Sequence, residues 1–183
     1  MPDKNSKPEI DKLPDITVTR LPDFNELGVL PGGNYFPTRA EFESRFVYSG
    51  DTAVRKPIYE GWIRHGQQLV LDGLAESARQ LVNGSFTTAK PNPNDIDIAV
   101  EVPVDGKMFE NLQPTSPIVR LLRGSKLKEH YKCDAYPIFC LPIDHYLYES
   151  ITLKSIRYWT KWFGQTREDI PKGRVWATVG GLR

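Results

Sequence analysis

Residues Leu81–Val102 read LVNGSFTTAKPNPNDIDIAVEV and form the most informative segment of the chain. A short apolar run ends at Gly84-Ser85, and nine residues rich in Thr, Pro and Asn separate this pair from Asp95. That composition predicts a loop or one broken turn. From Asp95 onward, polar and apolar residues alternate strictly, which predicts a half-buried strand.

The two acidic residues at the start of this strand share one face, because side chains two positions apart on a strand point the same way. Asp95 and Asp97 therefore lie opposite Ile96 and Ile98. Adjacent carboxylates repel unless they are neutralised, and oxygen ligands of this kind suit Mg²⁺ or Mn²⁺. Taken alone, however, an Asp-x-Asp pattern more often marks the solvated face of an edge strand.

Gly84 and Ser85, upstream of the two acids, favour a metal site over a solvated edge strand. A glycine lets a phosphate approach the backbone, and a serine adds a hydroxyl donor. Together with Asp95 and Asp97, this pair resembles the active-site motif of the DNA polymerase β-like nucleotidyltransferase superfamily, in its minimal, single-domain bacterial form. The resemblance implies an α+β fold with a small mixed β-sheet flanked by helices, the nucleotidyltransferase palm fold.

The resemblance also implies a reaction and a set of site residues. The expected activity is Mg²⁺- or Mn²⁺-dependent transfer of a nucleoside monophosphate from a nucleoside triphosphate. Asp95 and Asp97 would bind the metal, and a third carboxylate would come from a neighbouring strand. Asp134 takes that position, because it is the only later acid within a convincing strand. The phosphate-binding residues would be Gly84, Ser85 and Lys90.

The acceptor is expected to be a protein or an RNA such as tRNA. Minimal members of the superfamily often work beside a partner protein from a neighbouring gene, in toxin–antitoxin or phage-defence modules. Two alternatives remain open. One is a catalytically inactive nucleotidyltransferase-like module that binds a partner protein or a nucleotide. The other is a structural α/β domain with an accidental acidic strand.

Composition indicates a globular protein without a strong overall charge. The 183 residues carry a net charge of +1, which gives no long-range attraction to nucleic acid or membrane. We predict one domain over residues 21–183, preceded by a flexible segment over residues 1–20. No apolar run reaches membrane-spanning length and no signal peptide is visible, and Cys133 and Cys140 would face opposite sides of one strand. These features favour a cytoplasmic protein.

Before this segment, periodicity predicts an extended leader and two helices. The leader, residues 21–37, would wrap over the core. A capping box of Thr38 and Glu41 would open a short helix through about Phe46. The second helix would run from Thr52 to Asp72, with Pro57 in its first turn. Arg55 and Arg64 on this helix are expected to be surface charge, with phosphate contacts as the alternative.

After the acidic strand we predict a polar connection to Pro114 and a helix from Pro117 to about Gly124. Lys126–Lys132 would be a solvated loop, or alternatively a groove for a triphosphate or an anionic acceptor. Residues 131–141 are predicted to form the next strand, in which Pro137 argues for an edge position or a bulge. A helix capped by Asp144 would then run to about Phe163. Its buried stripe would comprise Leu147, Ile151, Tyr158, Trp159 and Trp162, and its exposed positions Lys154, Arg157 and Lys161. The chain would end with a turn and a short strand. Lys172 in this turn could reach a phosphate.

Overall fold

A five-stranded mixed β-sheet forms the centre of the protein in a computed structural model that describes residue 13 and residues 20–182. The strand order is β1-β5-β2-β3-β4. β3 and β4 are parallel, as are β1 and β5, whereas β2 is antiparallel to both of its neighbours. The strands are β1 (Asn34–Tyr35), β2 (Arg79–Asn83), β3 (Ile96–Pro103), β4 (Cys133–Cys140) and β5 (Arg174–Thr178). The expected α+β class with a small mixed sheet is confirmed.

Helices flank the sheet, and most of them are short. The α-helices are α1 (Arg39–Phe42), α2 (Thr52–Leu71), α3 (Gly106–Glu110), α4 (Pro117–Arg120), α5 (Lys128–Tyr131) and α6 (Lys154–Phe163). Two π-helical segments, Glu43–Val47 and Tyr148–Leu153, adjoin α1 and α6, and 3₁₀ turns cover Ser85–Thr87 and Ser125–Leu127. The cap predicted at Thr38 is confirmed, since its hydroxyl accepts from the Glu41 N–H. The predicted long helix α2 is also confirmed, although Pro57 lies in its second turn.

Both faces of the sheet are buried. On one face, Ile98 and Val100 pack in a large cluster with Trp62 of α2 and with Phe42 and Phe46. On the other face, a smaller cluster joins sheet residues to the inner side of α6. Its members are Leu13, Phe36, Leu81, Ala99, Ile138, Ile156, Phe163 and Trp176. Because Asp97 has the same strand parity as Ala99, and Asp134 the same parity as Ile138, both acids lie on the α6 face.

The leader follows the prediction, with one addition. Leu21, Leu30 and Phe36 are buried, and β1 adds a parallel pairing to β5 that the sequence did not indicate. Of the segment predicted to be flexible, residues 1–12 and 14–19 lie outside the described residues. Leu13 is buried in the smaller cluster.

The second half of the chain differs from the sequence-based expectations at several points. The polar connection contains α3, which Asp105 caps through the Met108 N–H, and the helix at Pro117 ends at Arg120. Asp144 lies in a turn, and the helical region begins only at Tyr148, without a side-chain cap. The predicted edge position of β4 is confirmed, and both cysteines in it are free.

Candidate functional site

Three polar residues lie side by side on the neighbouring strands β2, β3 and β4. Asn83 at the end of β2 is paired with Asp97 in β3, and Asp97 is paired with Asp134 in β4. The pairing of the Asp134 strand with the acidic strand is therefore confirmed. Asp97 and Asp134 occupy equivalent positions in neighbouring parallel strands, so their side chains project from the same face.

A lysine joins two of the three carboxylates. Lys128 Nζ lies 2.6 Å from Asp95 Oδ2 and 3.0 Å from Asp134 Oδ2. The side chains of the two acids are only 15% and 11% exposed, whereas that of Lys128 is 44% exposed. Hydrogen bonds to Asp95 and Asp134 raise the pKa of the Lys128 ammonium. The expected solvated loop at residues 126–132 is thus wrong for Lys128, which lies in α5 against the carboxylates.

The third carboxylate has an unfavourable environment. Burial raises the pKa of Asp97 to about 6, and the negative charges of Asp95 and Asp134 contribute to the increase. Lys128 and Lys172 act in the opposite direction without cancelling it. Asp97 is therefore the acid of this cluster that would gain most from a bound cation.

Gly84 contacts Asp97 so closely that no side chain fits between them. Its φ of +83° is in the region that favours glycine, and a Cβ added to it would lie 2.0 Å from Asp97 Oδ2. The Gly84 N–H donates to the Asn83 side chain at 2.8 Å. The Asp97 carboxylate thus occupies the space beside Gly84 in which the sequence predicts a phosphate. Ser85 follows at partial exposure, at the start of a 3₁₀ turn.

Lys172 contacts the same glycine. Its ammonium donates to the Gly84 carbonyl at 2.9 Å, and the residue is only 7% exposed. Burial lowers the pKa of Lys172 to about 8, partly offset by the charge of Asp97. Lys172 therefore carries a proton at neutral pH, within a site that contains three acids.

Lys90 is not drawn into this cluster. It is exposed, and no contact joins its ammonium to Gly84, Ser85 or the carboxylates within the described part of the chain. Its carbonyl instead accepts a short hydrogen bond from Arg55. The role of Lys90 in phosphate binding stays a prediction.

Arg55 holds the loop that follows Gly84. It is buried, and its guanidinium donates to the carbonyls of Phe46, Phe86, Thr88 and Lys90. The guanidinium also lies over the Phe86 ring, 5.3 Å from its centroid. The expectation of surface charge at Arg55 is therefore wrong. The same expectation is confirmed at Arg64, which is exposed.

The donor set of the cluster suits Mg²⁺ or Mn²⁺, since all three acids offer hard oxygen ligands. Asp134 Oδ1 is buried and has no hydrogen-bond partner among the described residues, so one acceptor atom is available. In the present side-chain arrangement, no group of three or more His, Cys, Asp and Glu in the described regions could hold a metal ion. The Lys128 ammonium, which contacts both Asp95 and Asp134, occupies the position between these two carboxylates. A metal would require Lys128 to turn away, which its exposure permits.

An open cleft elsewhere on the surface does not contribute to this site. It lies between α2 and the C-terminal turn and is lined by Trp62, Ile63, Val70, Val179 and neighbouring residues. None of the carboxylates and neither of the two lysines lines it. The three carboxylates and the two lysines of the candidate site lie around Asp97.

The sequence predicts Gly84, Ser85 and the three acids as site residues, but it does not indicate the contacts that Lys128, Lys172 and Arg55 make. Weak signals exist for the lysines, since Lys128 lies six residues before Asp134 and Lys172 lies in a turn expected to be within reach of a phosphate. Nothing in the local sequence distinguished Arg55 from a surface arginine. Its carbonyl partners are up to 35 residues away along the chain.

A model of a family of unknown function, DUF6932, matches residues 22–178, so the chain belongs to that family. Neither a curated protein nor a solved structure matches the chain. Across the residues that the structure describes, none of the helices combines the length and apolarity that crossing a membrane requires.

Proposed function

We propose that this member of the DUF6932 family is a nucleotidyltransferase with a palm fold that moves a nucleoside monophosphate from a nucleoside triphosphate to a hydroxyl group on an RNA or a protein. The observation that carries the proposal is the convergence of Asp95, Asp97 and Asp134 on one face of the sheet, beside Gly84. In a structural domain, three carboxylates would be spread over the surface, because clustering raises the free energy of the folded state.

Asp97, with Asp95 and Asp134, would hold Mg²⁺ or Mn²⁺. The bound ion supplies charge neutralisation of the triphosphate and activation of the acceptor hydroxyl. Asp97 suits this role because burial and two neighbouring carboxylates already disfavour its ionised form. Asp95 and Asp134 become available when the Lys128 ammonium leaves them.

The chain's own residues have separate roles in the transfer. The acceptor oxygen forms a bond to the α-phosphorus while the bond from that phosphorus to the β-phosphate oxygen breaks, so pyrophosphate leaves. The hydroxyl proton passes to a carboxylate oxygen, and Asp134 Oδ1 has no other partner among the described residues. Lys172, protonated at neutral pH, and the Ser85 hydroxyl would donate to the phosphates beside Gly84.

A second candidate is a nucleotidyltransferase-like module that binds a nucleotide or a partner protein without catalysis. The salt bridges of Lys128 favour it, because they neutralise Asp95 and Asp134 without a metal. The two candidates differ in whether the carboxylates are needed for turnover or only for the local charge balance.

The test is incubation of the protein with each α-³²P-labelled nucleoside triphosphate, Mg²⁺, and either total RNA or a protein extract. We expect label on one acceptor class and release of pyrophosphate. Asp134→Asn should reduce transfer by about 10²-fold or more while triphosphate binding survives. Asp144→Asn, a change at an exposed turn acid, should leave the rate unchanged. Triphosphate binding without transfer in any condition would favour the inactive module.

A further inference from the structure

Helix α6 exposes two aromatic rings that the sequence pattern had assigned to the core. Tyr158 is 53% exposed and Trp162 is 58% exposed. Their rings are parallel to within 6°, with centroids 6.2 Å apart. The buried side of α6 consists instead of Ile156, Thr160 and Phe163. The helix therefore buries Ile156, Thr160 and Phe163 and presents the parallel rings of Tyr158 and Trp162 to solvent.

Basic residues surround these rings on the same exposed stripe. Lys154, Arg157 and Lys161 are exposed, and with Tyr158 and Trp162 they follow the i, i+3, i+4, i+7, i+8 spacing of one helix face. Helix α6 contains no acidic residue. The helix therefore carries three positive charges and no negative charge, whereas the chain as a whole has a net charge of only +1.

The α6 surface, defined as Lys154, Arg157, Tyr158, Lys161 and Trp162, is connected to the carboxylates at two points. Trp159 contacts Tyr158, with centroids 4.8 Å apart, and Tyr136, with centroids 4.6 Å apart. Tyr136 lies two positions after Asp134 in β4, so it is on the same face.

The second connection is at the end of the helix. The carbonyl of Phe163, the residue after Trp162, accepts a 2.6 Å hydrogen bond from the Asn83 side chain. Asn83 precedes Gly84 and accepts from its N–H. The α6 surface and the Asp97 site are therefore linked by packing through Trp159 and by the hydrogen bond of Asn83.

We propose that the α6 surface binds single-stranded RNA, whose bases stack on Tyr158 and Trp162 and whose phosphates contact Lys154, Arg157 and Lys161. Alternation of aromatic and basic side chains matches the alternation of bases and phosphates in a single strand. Duplex bases are already stacked, so they would leave the two rings exposed. That the RNA is the acceptor, with a ribose hydroxyl near Asp134, rests on the proposed function, whereas the binding itself does not.

Fluorescence anisotropy of a fluorescein-labelled single-stranded RNA decamer, without nucleotide or Mg²⁺, tests the proposal. Trp162→Ala and Tyr158→Ala should each weaken binding by about tenfold, which is the effect of losing one stacked base. Tyr48→Ala removes another exposed aromatic ring, 56% exposed, and should have no effect. All these positions are exposed, so circular dichroism should show intact folds.

The salt dependence of the same binding tests the phosphate contacts. Lys154→Ala and Lys161→Ala should each reduce the slope of log affinity against log salt by about 0.7. Lys56→Ala, which removes an exposed lysine of α2, should leave the slope unchanged.

Two outcomes would overturn the proposal: equal affinity of the wild-type protein and both aromatic variants, and tighter binding of duplex than of single-stranded RNA. An acidic protein that binds the α6 surface more tightly than RNA and displaces the RNA would also overturn the proposal. Asp97→Asn should retain RNA binding, so a failure of nucleotidyl transfer and a failure of this proposal give different results.

Discussion

A methyl group on Gly84 would lie 2.0 Å from Oδ2 of Asp97. The carboxylate occupies the volume in which a side chain at position 84 would be placed, and the backbone there has a φ of +83°. Gly84→Ala should therefore combine backbone strain with a steric clash and reduce the free energy of unfolding by about 3 kcal/mol.

Gly73→Ala is the matched control for this change. Gly73 also has a positive φ, +99°, but a Cβ there would meet nothing within 4 Å. Gly73→Ala should therefore reduce the free energy of unfolding only by the backbone strain, about 1 kcal/mol. Urea denaturation measures both losses, and equal losses in the two variants would show that Asp97 moves away from position 84 at little cost.

Asp97→Asn should stabilise the protein in a pH-dependent way. The folded state raises the pKa of Asp97 from 3.8 to about 6, so the folded protein holds this proton more tightly than the unfolded chain. Wild-type stability from this group is full below pH 4 and is lost as the pH rises through 6. The variant should match the wild type near pH 4 and exceed it by about 3 kcal/mol at pH 7 without metal.

Thermal unfolding at pH 4, 5, 6 and 7 in the presence of EDTA measures this difference. Asp144→Asn, which changes an exposed acid in a turn outside the cluster, is the control. A stability difference between Asp97→Asn and the wild type that does not change with pH would show that Asp97 ionises freely in the folded state.

Lys128→Ala should increase Mn²⁺ affinity by about tenfold. The change removes the ammonium that competes with a metal for Asp95 and Asp134 and leaves those carboxylates without a counter-charge. Without metal, the variant should melt at a lower temperature than the wild type at pH 7. Added Mn²⁺ should raise the melting temperature of the variant to that of the wild type.

Isothermal titration calorimetry with MnCl₂ measures the affinity. Lys126→Ala provides the control, because Lys126 is an exposed lysine of the same basic stretch and pairs with no carboxylate among the described residues. Mn²⁺ affinity that stays at the wild-type level in Lys128→Ala would contradict competition between lysine and metal.

Arg55→Met should destabilise the loop after Gly84. Four carbonyl groups lose their donor, and the buried ones find no replacement from water. We expect a loss of about 3 kcal/mol and faster hydrogen exchange at residues 85–90.

Arg64→Met is the control on the same helix. Arg64 is exposed, so its replacement should change stability by less than about 0.5 kcal/mol. Unchanged exchange at residues 85–90 in Arg55→Met would show that the loop is held by Phe86 packing rather than by the guanidinium.

Features of the chain that depend on neighbouring residues could be predicted from the sequence. Strict alternation after Asp95 predicted β3 because a strand with one buried face requires a period of two. Thr38 as a helix cap and α2 were predicted for similar reasons. The stripe on α6 was predicted wrongly, because helical spacing groups Tyr158 with Trp162 but does not say which face meets the sheet.

By itself, the sequence determined the strand with Asp97, the glycine before it, and the placement of Asp134 within a later strand. Only the tertiary structure decided that Lys128 pairs with Asp95 and Asp134, that Lys172 reaches Gly84, and that α6 turns its aromatic rings outward. The reason is the range of the interactions involved. Alternation and capping act between residues close in the chain, whereas the Lys172–Gly84 hydrogen bond joins residues 88 positions apart and exists only after the sheet has assembled.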